Sequence, residues 1–173
     1  MPLYEFEGKR PNIADSAFVH PDAVIIGEVT IEEGASIWPL AVLRGDFGPI
    51  TVRKGANVQE GSVLHGVPGV EIGAGATVGH LCVVHAATVA DEALIANGAT
   101  VLDGAKIGRR AMVGAGALVP AGMEVPDEML AVGVPAKVKG PITGTPAEFW
   151  VNINPSAYQE LAKRHIAGLK RID

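Results

Sequence analysis

The segment that decides the fold is IGAGATVGHLCVVHAATVADEALIANGATVLDGAKIGRRAMVGAGAL, residues 72–118. It divides into eight units of six residues, except for one of five that begins at Val84. Every unit begins with Ile or Val, and its fifth residue is small. The first residues are Ile72, Val78, Val84, Val89, Ile95, Val101, Ile107 and Val113, and the fifth are Ala76, Cys82, Thr88, Ala93, Ala99, Ala105, Ala111 and Ala117. Less regular units extend the repeat back to residue 19, so a short period governs most of the chain.

A six-residue unit is too short for an amphipathic helix and supplies one short strand and one turn, with the aliphatic first residue inward and the small fifth residue packed at the bend. Three such units close a triangular coil, and successive coils stack as parallel strands about 4.8 Å apart. The sequence therefore predicts an all-β fold, a parallel β-helix of hexapeptide repeats over residues 1–140. Residues 141–173 are expected to form a linker and a C-terminal helix over 155–171. Asn154 is predicted to cap this helix, which packs along the β-helix through one apolar stripe made of Tyr158, Leu161, Ala162, Ile166 and Leu169.

Composition excludes several classes of partner. The 173 residues carry a net charge of -5, and no cluster of Lys or Arg stands out, which argues against nucleic acid and anionic membranes. The single cysteine, Cys82, allows no internal disulfide and suits a reducing compartment. No run of about 20 apolar residues predicts a membrane span, and the first residues do not follow a signal-peptide pattern. We therefore expect a cytoplasmic protein.

Three histidines stand out in a segment that is otherwise small and aliphatic. His65 and His85 occupy the second position of units one coil apart, so they are expected side by side and facing outward. Two imidazoles in this arrangement can share a metal ion at about 2.0–2.1 Å each. His80 lies on the preceding face and cannot complete that site within its own subunit. In a trimer of triangular prisms a neighbour's His80 would supply the third ligand, which predicts a homotrimer with three interfacial sites.

The same columns carry charged residues next to the histidines. Arg44 takes the position of His65 one coil earlier, and Glu60 takes the position of His80 one coil earlier. Arg44 of one subunit is therefore expected to face Glu60 of the next. An ion pair of this kind would hold the register of the subunits, although desolvation offsets much of its stabilisation.

At this point the chain resembles a known family. The segments VHPDAVIIGEV, SIWPLAVLRGD, NVQEGSVLHG, VGHLCVVHAA, GVPAK and AYQELAKRH are similar to those of the gamma-class carbonic anhydrases, members of the hexapeptide-repeat superfamily. The resemblance implies a left-handed parallel β-helix and a catalytic metal site. By this resemblance the metal ligands are His65, His80 and His85; Arg44 and Asp46 shape the site, Gln59 orients metal-bound hydroxide, and Asn57 and Tyr158 border the pocket.

The chemistry that the resemblance implies is hydration of carbon dioxide to bicarbonate. Three neutral imidazoles leave the metal its full charge and an open position, which lowers the pKa of bound water far below that of bulk water, toward about 7. The resulting hydroxide attacks carbon dioxide. Zinc is the expected metal, one per subunit interface, with Fe(II) or Co(II) as alternatives because imidazole suits all three. The expected class is thus a carbonic anhydrase, a lyase.

Two further classes of function stay open. The acidic loop that moves protons in the best-studied carbonic anhydrases of this class is missing, since HGVPGVE contains only Glu71. Its absence points to a slow hydratase or to a different reaction. One alternative is an acyltransferase or thioesterase that acts on coenzyme A esters, in which acyl transfer needs a histidine as general base and no metal. The other is a non-catalytic metal-binding homologue.

Overall fold

The computed structural model describes residues 2–173, which form twenty short strands followed by one helix. The elements are β1 (Leu3–Tyr4), β2 (Asn12–Ile13), β3 (Phe18–Val19), β4 (Val24–Ile31), β5 (Ser36–Ile37), β6 (Val42–Val52), β7 (Asn57–Val58), β8 (Val63–His65), β9 (Val70–Ile72), β10 (Thr77–Val78), β11 (Val83–His85), β12 (Thr88–Val89), β13 (Leu94–Ile95), β14 (Thr100–Val101), β15 (Lys106–Ile107), β16 (Met112–Val113), β17 (Leu118–Val119), β18 (Glu124–Val125), β19 (Met129–Val132), β20 (Lys137–Pro141) and α1 (Pro146–Gly168).

Strands pair in parallel with their counterparts one coil away, as the repeat predicts. On one face the order is β17-β14-β11-β8-β6, and on another it is β19-β16-β13-β10-β7-β5-β3. The long strand β6 turns a corner, because its first residues pair with β8 and its last residues pair with β9. Only the β19–β20 pair is antiparallel among the described strand pairs. The predicted β-helix is therefore confirmed.

The core is a column of aliphatic side chains inside the coils. The first residues of the units are buried, among them Ile72, Ile95 and Val113 at 0 % exposure. One detail of the repeat was predicted wrongly, because Thr88 is exposed and Ala87 is buried at 2 % exposure. The unit that begins at Val84 is one residue short, so the small inward position comes one residue earlier than in the other units.

The helix begins earlier than the sequence predicted. Helix α1 starts at Pro146 and has Thr145 as its N-cap, whereas Asn154 and Pro155 lie inside it. The Thr145 hydroxyl accepts a hydrogen bond from the Ala147 N–H at 3.2 Å. This cap satisfies a backbone donor that the helix leaves unpaired, and it outweighs the start signal at residues 154–155.

The docked part of helix α1 is its first four turns and part of the fifth. Val151 and Ala162 are buried, but Ile166 and Leu169, which the sequence placed on the same apolar stripe, are 59 % and 45 % exposed. Gln159 fixes the helix to the β-helix, because its Nε2 donates a hydrogen bond to the Gly55 carbonyl at 3.1 Å. No helix within residues 2–173 is long and apolar enough to cross a membrane.

Candidate active site

His65 and His85 lie side by side on adjacent coils, as the sequence predicted. His65 and His85 are paired Cα partners in strands β8 and β11, and their ring centroids lie 5.4 Å apart. Arg44 is the partner of His65 on the other side, in strand β6. Leu64 and Val84 point into the core at 0 % exposure, so the histidines that follow them point outward. The predicted positions of His65, His85 and Arg44 in one column of the coil are therefore confirmed.

Each of the three predicted histidines contacts a carboxylate in its own chain. Because a carboxylate only accepts hydrogen bonds when ionised, each contact holds an imidazole N–H toward the acid and fixes the tautomer of the ring. The contacts are His80 Nδ1 to Glu60 Oε2 at 2.6 Å, His65 Nε2 to Asp46 Oδ1 at 3.0 Å, and His85 Nδ1 to both carboxylate oxygens of Asp103 at 3.1 Å.

Asp46 joins His65 to Arg44. Its second oxygen, Oδ2, accepts a hydrogen bond from Arg44 Nη1 at 2.6 Å. Burial alone would raise the pKa of Asp46, but the hydrogen bonds from Arg44 and His65 and the charge of Arg44 hold it below its usual value. Arg44 and Glu60 thus both have partners within one chain. Their predicted ion pair between subunits stays a prediction.

A buried chain of polar side chains lies behind His80. Gln59 Nε2 donates to Asn57 Oδ1 at 2.9 Å, and Asn57 Nδ2 donates to Thr77 Oγ1 at 2.8 Å. All three side chains are at most 3 % exposed. Gln59 lines the pocket described below, whereas Asn57 supports Gln59 from behind. The side-chain amide nitrogen of Gln59 donates to Asn57, so the side-chain carbonyl oxygen of Gln59 can accept a hydrogen bond from a ligand.

A pocket of about 280 Å³ lies between the coil that carries His80 and helix α1. Tyr158 contributes to its wall, and burial together with the negative charge of Glu60 raises the pKa of the Tyr158 hydroxyl. The phenol is therefore neutral and able to donate a hydrogen bond. The lining residues are Gln59, Thr77, Gly79, His80, Leu94, Ala96, Asn97, Met112, Ala115, Trp150, Asn154 and Tyr158.

Two residues of this region escaped the sequence analysis. Asn97 lines the pocket, and its Oδ1 accepts a hydrogen bond from the His80 backbone N–H at 3.2 Å. Asp103 holds His85. Asn97 follows His80 by 17 residues, which is one coil, so the column of His80 extended forward would have found it. Asp103 follows His85 by 18 residues and lies one position beyond that register, because Val84 pairs with Val101, so the column of His85 would have given Leu102 instead.

The predicted zinc site depends on ligands from two subunits. Within residues 2–173 no group of three or more His, Cys, Asp or Glu side chains lies together as a metal site requires. His80 and His85 use Nδ1 for their carboxylates and leave Nε2 available, whereas His65 uses Nε2. The side chains of a single subunit therefore give no support to the expected zinc site. A site shared between subunits stays a prediction.

Known proteins resemble the chain over almost its whole length. No family model matches it. The carnitine operon protein CaiE of Citrobacter koseri is 37 % identical over 171 residues, which is 98 % of this chain and 86 % of that protein. CaiE of Escherichia coli O157:H7 is 36 % identical over 171 residues, 98 % of this chain and 87 % of that protein. The chain belongs to the CaiE family.

Solved structures show that the fold of this chain is that of the left-handed hexapeptide-repeat β-helices. A hexapeptide transferase family protein from Anaplasma phagocytophilum is 34 % identical with a TM-score of 0.90, over 94 % of this chain and 96 % of that one. A candidate acetyltransferase from Bacillus cereus is 35 % identical with a TM-score of 0.92, over 95 % of this chain and 96 % of that one. The expected left-handed β-helix with one C-terminal helix is confirmed.

These comparisons overturn the expected activity. The two similar structures are described as a hexapeptide transferase family protein and as a candidate acetyltransferase, which are transferases and not lyases. The superfamily implied by the resemblance was right, but the gamma-class carbonic anhydrase assignment within it was wrong. The physical reason is that the repeat specifies the scaffold, and outward histidines on this scaffold also suit chemistry that uses an imidazole as a base. The acyltransferase alternative is the one that agrees with the comparisons.

Proposed function

We propose that the chain transfers an acyl group from a coenzyme A thioester to the hydroxyl or amine of a small acceptor, with His80 as general base. The observation that carries this proposal is the 2.6 Å contact between His80 Nδ1 and Glu60 Oε2 at the edge of the 280 Å³ pocket. The similarity to a hexapeptide transferase family protein and to a candidate acetyltransferase supports the reaction class.

The contact prepares His80 for proton transfer. The Glu60 carboxylate accepts the Nδ1–H, so Nε2 carries a lone pair and can accept a proton. The negative charge of Glu60 also stabilises the imidazolium that forms when His80 takes this proton. The His80 and Glu60 side chains are 41 % and 40 % exposed, so substrates can reach them.

The reaction then follows from these positions. His80 Nε2 takes the proton of the acceptor hydroxyl or amine while the acceptor oxygen or nitrogen bonds to the thioester carbonyl carbon. The carbon–sulfur bond breaks, the acyl group stays on the acceptor, and the protonated His80 returns its proton to the coenzyme A sulfur. Asn97 uses its Oδ1 for the His80 backbone, which leaves its amide nitrogen as a donor for the carbonyl oxygen that becomes negative.

The test is release of free coenzyme A thiol from a series of short acyl thioesters, in the presence and absence of amine and alcohol acceptors. Thiol release that requires an acceptor and yields the acylated acceptor supports the proposal. Thiol release without any acceptor would indicate hydrolysis, which is the thioesterase alternative. His20→Ala is the matched control for His80→Ala, since His20 contacts Asp22 on a different part of the coil.

We also propose that the protein is a homotrimer. The side of the coil around His65 and His85 leaves apolar side chains uncovered, including Phe47 at 71 % and Val83 at 37 % exposure. Packing these against a second copy would remove apolar surface from water. Light scattering would then give about three times the chain mass of 17.8 kDa, and the chain mass itself would contradict the proposal.

A further inference from the structure

The pocket beside His80 is poor in positive charge. None of the described residues that line it is Lys or Arg, and its polar groups are carboxamides, hydroxyls and the His80 ring. The ionised group closest to it in the hydrogen-bond network is the Glu60 carboxylate, which holds His80 at 2.6 Å. A ligand that enters this pocket therefore meets negative charge and no cation. An anionic ligand would find no cationic side chain there and would be repelled by Glu60.

Two aromatic side chains border the same pocket. Trp150 and Tyr158 lie on helix α1 with Asn154 between them, at intervals of four residues, and all three line the pocket. Trp150 is 51 % exposed, so its ring keeps surface that a ligand can cover. The Tyr158 ring is held edge-on against Trp38 at a centroid distance of 5.4 Å. Indole and phenol rings attract organic cations through their negative faces, and indole attracts them best.

The field of Glu60 reaches the aromatic wall. After burial, the charge of Glu60 is the second cause that raises the pKa of Tyr158. A carboxylate that opposes formation of a phenolate there favours a cation in the same space. Leu94 and Met112 add apolar surface. This surface suits alkyl groups on nitrogen better than it suits a hydrated metal ion.

From these features we infer that the pocket binds an organic cation, an alkylated amine or quaternary ammonium compound, between Trp150, Tyr158 and the Glu60–His80 pair. The role of this cation as acyl acceptor rests on the proposed function. An amino alcohol meets both requirements, because its ammonium group lies against the rings while its hydroxyl faces His80 Nε2. The binding step itself stands without any acyl transfer.

The experiment compares two ligands that differ only in charge. Choline and 3,3-dimethyl-1-butanol have the same shape, but the first carries a quaternary nitrogen where the second carries a carbon. Calorimetric titration of the full chain should show choline binding about tenfold more tightly, since the negative face of an aromatic ring attracts a quaternary nitrogen but not a neutral carbon. Equal affinity for both, or no detectable binding of choline, would overturn the inference.

Variants locate the site. Trp150→Leu should abolish the preference for choline, and Glu60→Gln should reduce it severalfold. Tyr4→Leu is the control, because Tyr4 is an exposed aromatic residue of strand β1, at 53 %, that does not belong to the lining. Choline affinity that Trp150→Leu leaves unchanged would overturn the inference. Choline that binds as expected but is never acylated would contradict the proposed function and leave the cation site intact.

Discussion

His80 Nδ1 lies 2.6 Å from Glu60 Oε2, and the two residues occupy the same position in adjacent coils. This contact links the repeat to the chemistry, because a 20-residue separation in sequence becomes one inter-strand spacing in the fold. The pair stands where the coil meets helix α1, beside the pocket, and in the proposed reaction His80 binds the proton while Glu60 orients its ring.

Removing the carboxylate tests the pair. Glu60→Gln keeps the shape of the side chain but supplies no negative charge, so the imidazolium formed during transfer loses its stabilisation. We expect kcat/KM for acyl transfer to fall by about 10- to 100-fold, less than for His80→Ala, since general-base catalysis contributes roughly 10²–10⁴. Steady-state thiol release measures this. Glu124→Gln is the control: it breaks an exposed ion pair with Lys106 at 2.8 Å and should leave the rate unchanged. A Glu60→Gln protein with full activity would contradict the role assigned to Glu60.

The Thr145 N-cap of helix α1 should contribute measurably to the stability of the protein. Thr145→Ala removes the hydroxyl that accepts the Ala147 N–H, and we expect the free energy of unfolding to fall by about 1 kcal/mol. Urea unfolding followed by circular dichroism measures the change. Ser156→Ala, in the middle of the same helix, should cause no comparable loss. A Thr145→Ala protein as stable as the parent would show that the helix does not depend on this cap.

Truncating a side chain of the buried aliphatic column should destabilise the fold far more than truncating an exposed one. Ile95 is fully buried between coils, so Ile95→Ala leaves a cavity and should lower the free energy of unfolding by about 2–5 kcal/mol. Leu81 is 72 % exposed, and Leu81→Ala should cost less than about 1 kcal/mol. Similar losses for both variants in chemical denaturation would contradict the account of the core.

The buried thiol of Cys82 should make the free energy of unfolding fall as the pH rises above about 9. Burial raises the pKa of its thiol from 9.0 to about 11, so the unfolded chain releases this proton more readily than the folded one. The stability that depends on the neutral thiol is present below pH 9 and is lost as pH rises toward 11, to the extent of roughly 2–3 kcal/mol. Chemical denaturation at several pH values between 8 and 11 should show a smaller fall in the free energy of unfolding for Cys82→Ala than for the parent protein. Identical curves for both proteins would contradict this cause.

Much of the architecture follows from the sequence, because a six-residue period leaves few alternatives. The same arithmetic placed His85 beside His65 and Glu60 beside His80. It failed at Thr88, where one deleted residue moves the inward position to Ala87. It also failed at the helix start, because the Thr145 cap signal was overlooked in favour of the later proline.

The function was harder to predict than the positions. Outward histidines at one inter-strand spacing suit a shared metal and a general base equally well, so the column pattern does not choose between hydration and acyl transfer. The distinguishing feature is tertiary. It is the pocket that helix α1 closes over His80, which requires the coil and the helix to be placed together. The carboxylate contacts do not distinguish the two reactions, because an acid on an imidazole N–H accompanies metal ligands as well as general bases.

The most direct measurement is the acceptor-dependent release of coenzyme A thiol from acetyl coenzyme A, with mass spectrometry of the acceptor. The account predicts an acetylated amine or alcohol, formed by the parent protein and by His20→Ala but reduced at least about 100-fold in His80→Ala. Turnover that survives His80→Ala, or no acylated product across amine and alcohol acceptors, would contradict it.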